Sequence, residues 1–268
     1  MAEKLDMYFK PSTHQYIIGD KPYKSFSSII KLVEPEKDWN DIAIKYAKKH
    51  STKKDPLTVE EVKAKWAEEG RTSREKGTLF HALKEDEDIN CKDKPVYFSE
   101  TKEDIKPIRD LETLEDGIYP ELTLYNNEYQ ACGTADKVII ETIDGIRYAS
   151  ILDYKTSKTI DEESYYDARN QKHAMLANPL QSVMDCNFMK YSLQLSMYAF
   201  FLEKYNFVPK DLILIHLIVA ETEPDKESKY KIEYEGKMFH VEHEIEYPVK
   251  YMKKEVKALL QYHKSKLK

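Results

Sequence analysis

The chain has 268 residues, 41% of them hydrophobic and 34% charged, and a formal net charge of -6. That is enough apolar material for one large domain with a substantial core. No apolar run reaches the length of a membrane span, and the opening MAEKLDMYFKPS lacks the basic-then-apolar layout of a secretion signal. A cytoplasmic protein is expected, in the host cytoplasm if the source is viral.

The charge is unevenly spread. Residues 85–117 carry twelve Asp/Glu against five Lys/Arg, whereas residues 246–268 carry seven Lys against two Glu. Net acidity argues against coating nucleic acid by bulk charge, but a basic tail leaves room for a local track. Cys91, Cys132 and Cys186 are far apart and form no CxxC pair, so neither a zinc knuckle nor a disulfide framework is indicated.

In chain order, KSFSSIIKLV and DIAIKYAKKH have helical apolar spacing, and DPLTVEEVKAKWAEEG opens on cap-like Asp and Thr and closes on Gly70. SREKGTLFHALKED predicts a further helix. The acidic stretch after it is irregular and is a candidate mobile insertion. IYPELTLYN, GTADKVIIET and RYASILDYK are β-rich runs separated by turn signals. The long helix FMKYSLQLSMYAFFLEKY follows, then DLILIHLIVA as a buried strand, a hairpin near YKIEYEGKMFHVEHEI, and the amphipathic helix VKYMKKEVKALLQYHKSK.

This order predicts an α/β domain with a central mixed sheet flanked by helices. Nothing repeats and no linker divides the chain. One domain is therefore expected over 1–268, with a helical N-terminal part (1–76), a core (77–245) carrying the insertion 85–117, and a C-terminal helix (246–268).

Asp144-Gly145 is a strong signal for a two-residue type I′ hairpin loop. With that loop, paired residue numbers sum to 289, and Asp136 falls opposite Asp153. Opposed β-carbons lie about 4.5–5.5 Å apart, where like charges repel. Two such carboxylates on an apolar hairpin call for a cation, and carboxylate oxygens suit a hard ion such as Mg²⁺ or Mn²⁺. Lys155 projects from the same face as Asp153 and adds a fixed positive charge. His81 lies on a predicted helix, with Gly77 one turn before it and Glu85 one turn after. Gln194 and Tyr198, spaced i,i+4, share a helix face, while Leu193, Met197 and Phe200 form a separate core stripe.

Taken together, His81, Glu121, Asp136, Asp153-Tyr154-Lys155 and Gln194-x-x-x-Tyr198 resemble the PD-(D/E)XK nuclease superfamily in its RecB-like branch. The matching segments GTLFHALKE, GTADKV, ILDYKTSK and YSLQLSMYAF run from about residue 77 to 200. The N-terminal HQYIIGDKPYKSFSSIIKLVEP is similar to the opening segment of nucleases like the mitochondrial genome maintenance exonuclease and phage exonucleases; His14 within it is expected to be structural.

The resemblance implies a restriction-endonuclease-like core. It implies a metal held by His81, Asp136, Asp153 and the backbone carbonyl of Tyr154, with Glu121 as a buttress. Lys155 would orient the attacking water or stabilise charge on the scissile phosphate, and Gln194 and Tyr198 would hold the lysine or the DNA backbone. Ala135 stands where the superfamily motif has Pro. The cysteine cluster of iron–sulfur relatives is missing, so no cluster is expected. No Walker-type sequence is present, so no nucleotide cofactor is expected and any helicase partner is a separate chain.

The implied activity is a Mg²⁺- or Mn²⁺-dependent DNA exonuclease acting on single strands or free ends in repair, recombination or replication, alongside a helicase, recombinase or single-strand-binding protein. The alternatives are a structure- or sequence-specific endonuclease and a catalytically silent binding module. Backbone contact is expected from Lys45, Lys48, Lys49, Lys53 and Lys54 in the N-terminal part, and from Lys253, Lys254 and Lys257 in the C-terminal helix.

Overall fold

The computed structural model describes residues 7–13, 15–19, 21–52, 56–225 and 227–267. Three short strands come first, β1 (Met7–Lys10), β2 (Gln15–Ile18) and β3 (Lys21–Ser25), where a helical part was expected. The reason is visible in β2, whose Tyr16 and Ile18 are buried at the strand period of two. Gly19, at φ 66°, makes the turn between β2 and β3. Helix α1 (Phe26–Ile30) begins only after Ser25, whose hydroxyl caps it by accepting the Ser28 N–H.

Helix α2 (Trp39–His50) starts at an Asp38 cap. Helix α3 (Val59–Ile89) starts at a Thr58–Glu61 capping box and runs 31 residues without a break. It passes straight through Gly70, the expected stop. A helical glycine costs only about 1 kcal/mol relative to alanine, and Gly70 does not take the left-handed conformation that ends a helix. Two predicted helices are thus one rod. Its N-terminal half packs on α2 through Ala43, Ala47 and Val62.

The acidic stretch is also not a free insertion. Residues 85–89 belong to α3, and beyond β4 (Lys106–Pro107) the chain buries Ile108, Leu111 and Leu114. High charge density hides these apolar anchors in the sequence.

The central strands β5 (Gly117–Asn126), β6 (Ala131–Ile143) and β7 (Ile146–Lys155) form an antiparallel meander. A small hairpin, β8 (Tyr166–Asp167) and β9 (Lys172–His173), precedes helix α4 (Asn187–Glu203). Helix α4 carries the chain over to β10 (Val208–Thr222), which lies parallel to β7. Strands β11 (Lys231–Tyr234) and β12 (Lys237–Pro248) complete the sheet, and helix α5 (Lys253–Lys264) follows; residues 246–248, expected in that helix, end β12 instead. The strand order is β11-β12-β10-β7-β6-β3-β2-β1-β4, with β5 on the other edge of β6.

Helices cover both faces of this mixed sheet. On one face α1, α4 and α5 close the main core, with Phe26, Leu193, Phe201 and Leu259 among its buried side chains. On the other, Phe80 of α3 meets Tyr154, Ile215, Leu217 and Ile232. No helix among the described residues is long and apolar enough to cross a membrane.

Candidate metal and phosphate site

The loop between β6 and β7 is the expected one. Asp144 and Gly145 both take positive φ, 51° and 76°, and the ladder runs from Ile143 opposite Ile146 to Lys137 opposite Leu152. Asp136 and Asp153 come next in that register, and there the ladder stops. The Asp136 carboxylate instead accepts the Tyr154 N–H through Oδ2 at 2.6 Å. In an extended strand the N–H and C=O of one residue point to the same edge, so the Tyr154 carbonyl faces this gap as well.

The opposite edge of β6 adds a third carboxylate. Strand β5 pairs Pro120 with Lys137 and Leu122 with Ala135, which sets Glu121 across from Asp136. Strand β3 pairs with Ala131 and Cys132 on the β7 side of β6. Residues 133–136 are thereby left between β3 and β7, and the sheet opens into a cleft of about 900 Å³.

Helix α3 brings the histidine. His81 Nδ1 lies 3.4 Å from Asp136 Oδ1, with the imidazole 30% exposed. One turn earlier, a β-carbon on Gly77 would sit 2.9 Å from the Thr156 hydroxyl, so glycine lets the helix close on the end of β7. His81, Glu121 and Asp136 each offer a ligand atom, and these atoms lie within 4.8 Å of one another. Glu121, expected as a buttress, stands among the three candidate ligands. Asp153 lies beside that group, 1% exposed and ion-paired with Lys155.

Burial pushes the Glu121 carboxyl up to about 8, with the Asp136 charge adding to it. Burial likewise raises Asp153 to about 6 against the opposing pull of Lys155. Burial acts on Asp136 too, but His81 and Lys155 outweigh it and hold that carboxyl below its ordinary range. Burial opposes the charge on His81, which its Asp136 neighbour nevertheless keeps raised. Three carboxyls crowd against two basic groups, and the raised Glu121 and Asp153 show what ionising them together costs without a further cation. The Asp153 oxygens have no hydrogen-bond partner among the described residues, Oδ2 having only its Lys155 ion pair. A mostly oxygen donor set with one unpartnered buried carboxylate oxygen, Asp153 Oδ1, fits a hard divalent ion.

Helix α4 fixes the strand beside the gap. Gln194 Nε2 donates to the Tyr198 hydroxyl at 2.9 Å, which donates to the Thr134 carbonyl at 2.5 Å. Tyr198 is buried and braces β6, and both it and Gln194 line the cleft. Sequence reasoning missed Thr134, whose hydroxyl bonds those of Tyr16 and Thr123, and Arg74, exposed on the cleft wall. The i,i+7 spacing of Arg74 and His81 was the available signal for the latter.

Among the described residues, none of the lysines expected on the DNA backbone lines the cleft. Lys45, Lys48 and Lys49 are on α2, with Lys45 paired to Asp41. Lys253, Lys254 and Lys257 are on α5, where Lys253 is held by Glu203. Lys53, Lys54 and His14 lie outside the described residues.

No family model matches the chain, and no curated protein matches it.

Proposed function

We propose that this chain is a divalent-metal-dependent nuclease of the PD-(D/E)XK kind, hydrolysing phosphodiester bonds in DNA and acting as an exonuclease on single strands or free ends. The observation that carries the reading is the convergence of His81, Glu121 and Asp136 at the floor of an open cleft, beside the buried Asp153–Lys155 pair. The exonuclease preference rests on the motif resemblance.

His81, Glu121 and Asp136 would hold Mg²⁺ or Mn²⁺, with Asp153 and the Tyr154 carbonyl as further oxygen donors. Such an ion acidifies a water and stabilises charge developing on a phosphate. The chain supplies the rest. Lys155 lines the cleft and presents a permanent ammonium to a phosphate oxygen, while Asp153 fixes that ammonium against its flexible stem. His81 and the Tyr154 N–H both engage Asp136 and set the direction of its carboxylate. Arg74, with the hydroxyls of Ser73 and Thr78, offers backbone contacts along the α3 wall. Lysines on α2 and α5 would meet DNA beyond the cleft.

The test is cleavage of end-labelled single-stranded, blunt and closed-circular DNA with Mg²⁺, Mn²⁺ or EDTA, alongside Asp153→Ala and Lys155→Ala. Metal-dependent loss of linear substrate is expected, with the circle spared and both variants folded and silent. Nicking of the circle would make the enzyme an endonuclease. No cleavage together with no calorimetric Mn²⁺ binding would overturn the reading in favour of a binding module.

A further inference from the structure

Lys155 is held from two sides. The Asp153 carboxylate is on one, and on the other the Tyr191 ring lies with its centroid 5.1 Å from Nζ. Tyr191 is on α4, three residues before Gln194 and seven before Tyr198, so all three share one face of the helix. Its hydroxyl is tied to the Ser157 hydroxyl at 2.8 Å. The Ser157 carbonyl in turn accepts from His216 Nε2 at 2.6 Å, and His216, buried in β10, pairs directly with Lys155 in the parallel register. The chain segment leaving β7 is therefore pinned from the sheet and from α4.

Tyr191 does not line the cleft, whereas Lys155 and Ser157 do. Any effect it has on a substrate must pass through them. We propose that Tyr191 is a positioning residue whose anchored ring covers the rear of the Lys155 ammonium and fixes it toward the cleft. A lysine stem has four rotatable carbons and little preferred direction of its own, and an aromatic face attracts an ammonium most when both are shielded from water. The inference rests on the nuclease reading for its consequence, not for its geometry.

Two readouts test it. In the metal-free protein, acetylation of Lys155 by an amine-reactive ester, followed by peptide mass spectrometry, should quicken about threefold in Tyr191→Leu and stay at the wild-type rate in Tyr191→Phe. In cleavage assays Tyr191→Leu should lower kcat about tenfold with KM nearly unchanged, and Tyr191→Phe should restore most of it. Calorimetric Mn²⁺ binding should be the same in all three proteins. Should Tyr191→Leu fail to fold, Tyr191→Met removes the aromatic face at a more similar length and should raise labelling in the same direction.

Equal labelling of Lys155 in wild type and variant overturns the proposal, whether or not the protein cuts DNA. So does loss of Mn²⁺ binding in step with kcat, which would mean the whole cluster had collapsed. A wild type that neither cuts DNA nor binds Mn²⁺ overturns the nuclease reading, and the labelling rates then decide on Tyr191 alone.

Discussion

Glu121 has a φ of 49° and is the one non-glycine residue with a left-handed backbone inside a strand of the described chain. Tyr119, Leu122 and Leu124 all enter the main core, so the inward alternation of β5 slips by one residue at this point. A left-handed L-residue costs about 1–2 kcal/mol, and burial of a carboxyl next to Asp136 adds to that. Strain of this kind at a candidate ligand position agrees with the proposed metal site. Asn tolerates this backbone better than Glu and carries no charge. Glu121→Asn should therefore raise the thermal midpoint of the metal-free protein by about 2–4 °C, while weakening calorimetric Mn²⁺ affinity about tenfold or more. A lowered midpoint with unchanged Mn²⁺ binding would show that Glu121 is structural.

The helices matter for what they bring to the gap in β6. The close approach of α3 to the end of β7 at Gly77 sets the position of His81 one turn on, and an added methyl would run into the Thr156 hydroxyl, so that side chain, helix or strand must shift. Alanine is also the better helix former, by about 1 kcal/mol. Gly77→Ala should accordingly keep or raise the thermal midpoint yet weaken Mn²⁺ binding about tenfold, because His81 no longer meets Asp136 squarely. Full Mn²⁺ affinity in the variant would show that the contact relaxes without moving His81.

The same elements show what could be foreseen. The β6–β7 register was legible because Asp144-Gly145 suits a loop whose two residues both need positive φ, and one turn fixes every pair along the hairpin. The place of Glu121 across from Asp136 was not, since β5 joins β6 through Asn127–Gln130, where no short turn signal fixes the register. The unity of α3 was hidden by Gly70, which is a weak stop when a capping box and packing on α2 support the helix. Strands β1 to β3 escaped notice because each spans only four or five residues and gains its burial from distant parts of the chain.

Across the molecule, ion pairs join elements far apart in sequence. Lys84, buried on α3, reaches Glu244 of β12 at 2.9 Å and the Tyr230 hydroxyl at 3.0 Å. Glu87, one turn on, bonds Lys229 and Tyr230 as well as Lys84. Lys190 bridges Glu34 and Asp185, which also meets Lys37, and Glu141 takes both Lys94 and Lys210. Burial opposes the charge on Glu87, but its three hydrogen-bond donors prevail and hold the carboxyl down at about 2, against an ordinary 4.5. A carboxyl depressed on folding lends stability that is fully present above the unfolded pKa and is lost as pH falls through the folded one. For Glu87 that window runs from 4.5 down to about 2. Glu87→Gln removes this contribution while keeping the side chain's size and, like the protonated acid, one full acceptor oxygen. Its urea midpoint should lie below that of wild type near neutral pH. Both should fall in acid, since Asp185 and Glu141 are depressed as well, but the gap between them should close across the window. A gap that stays constant down to the acid end would assign the stability of this corner to packing of Tyr230 against Lys84 and not to the Glu87 charge.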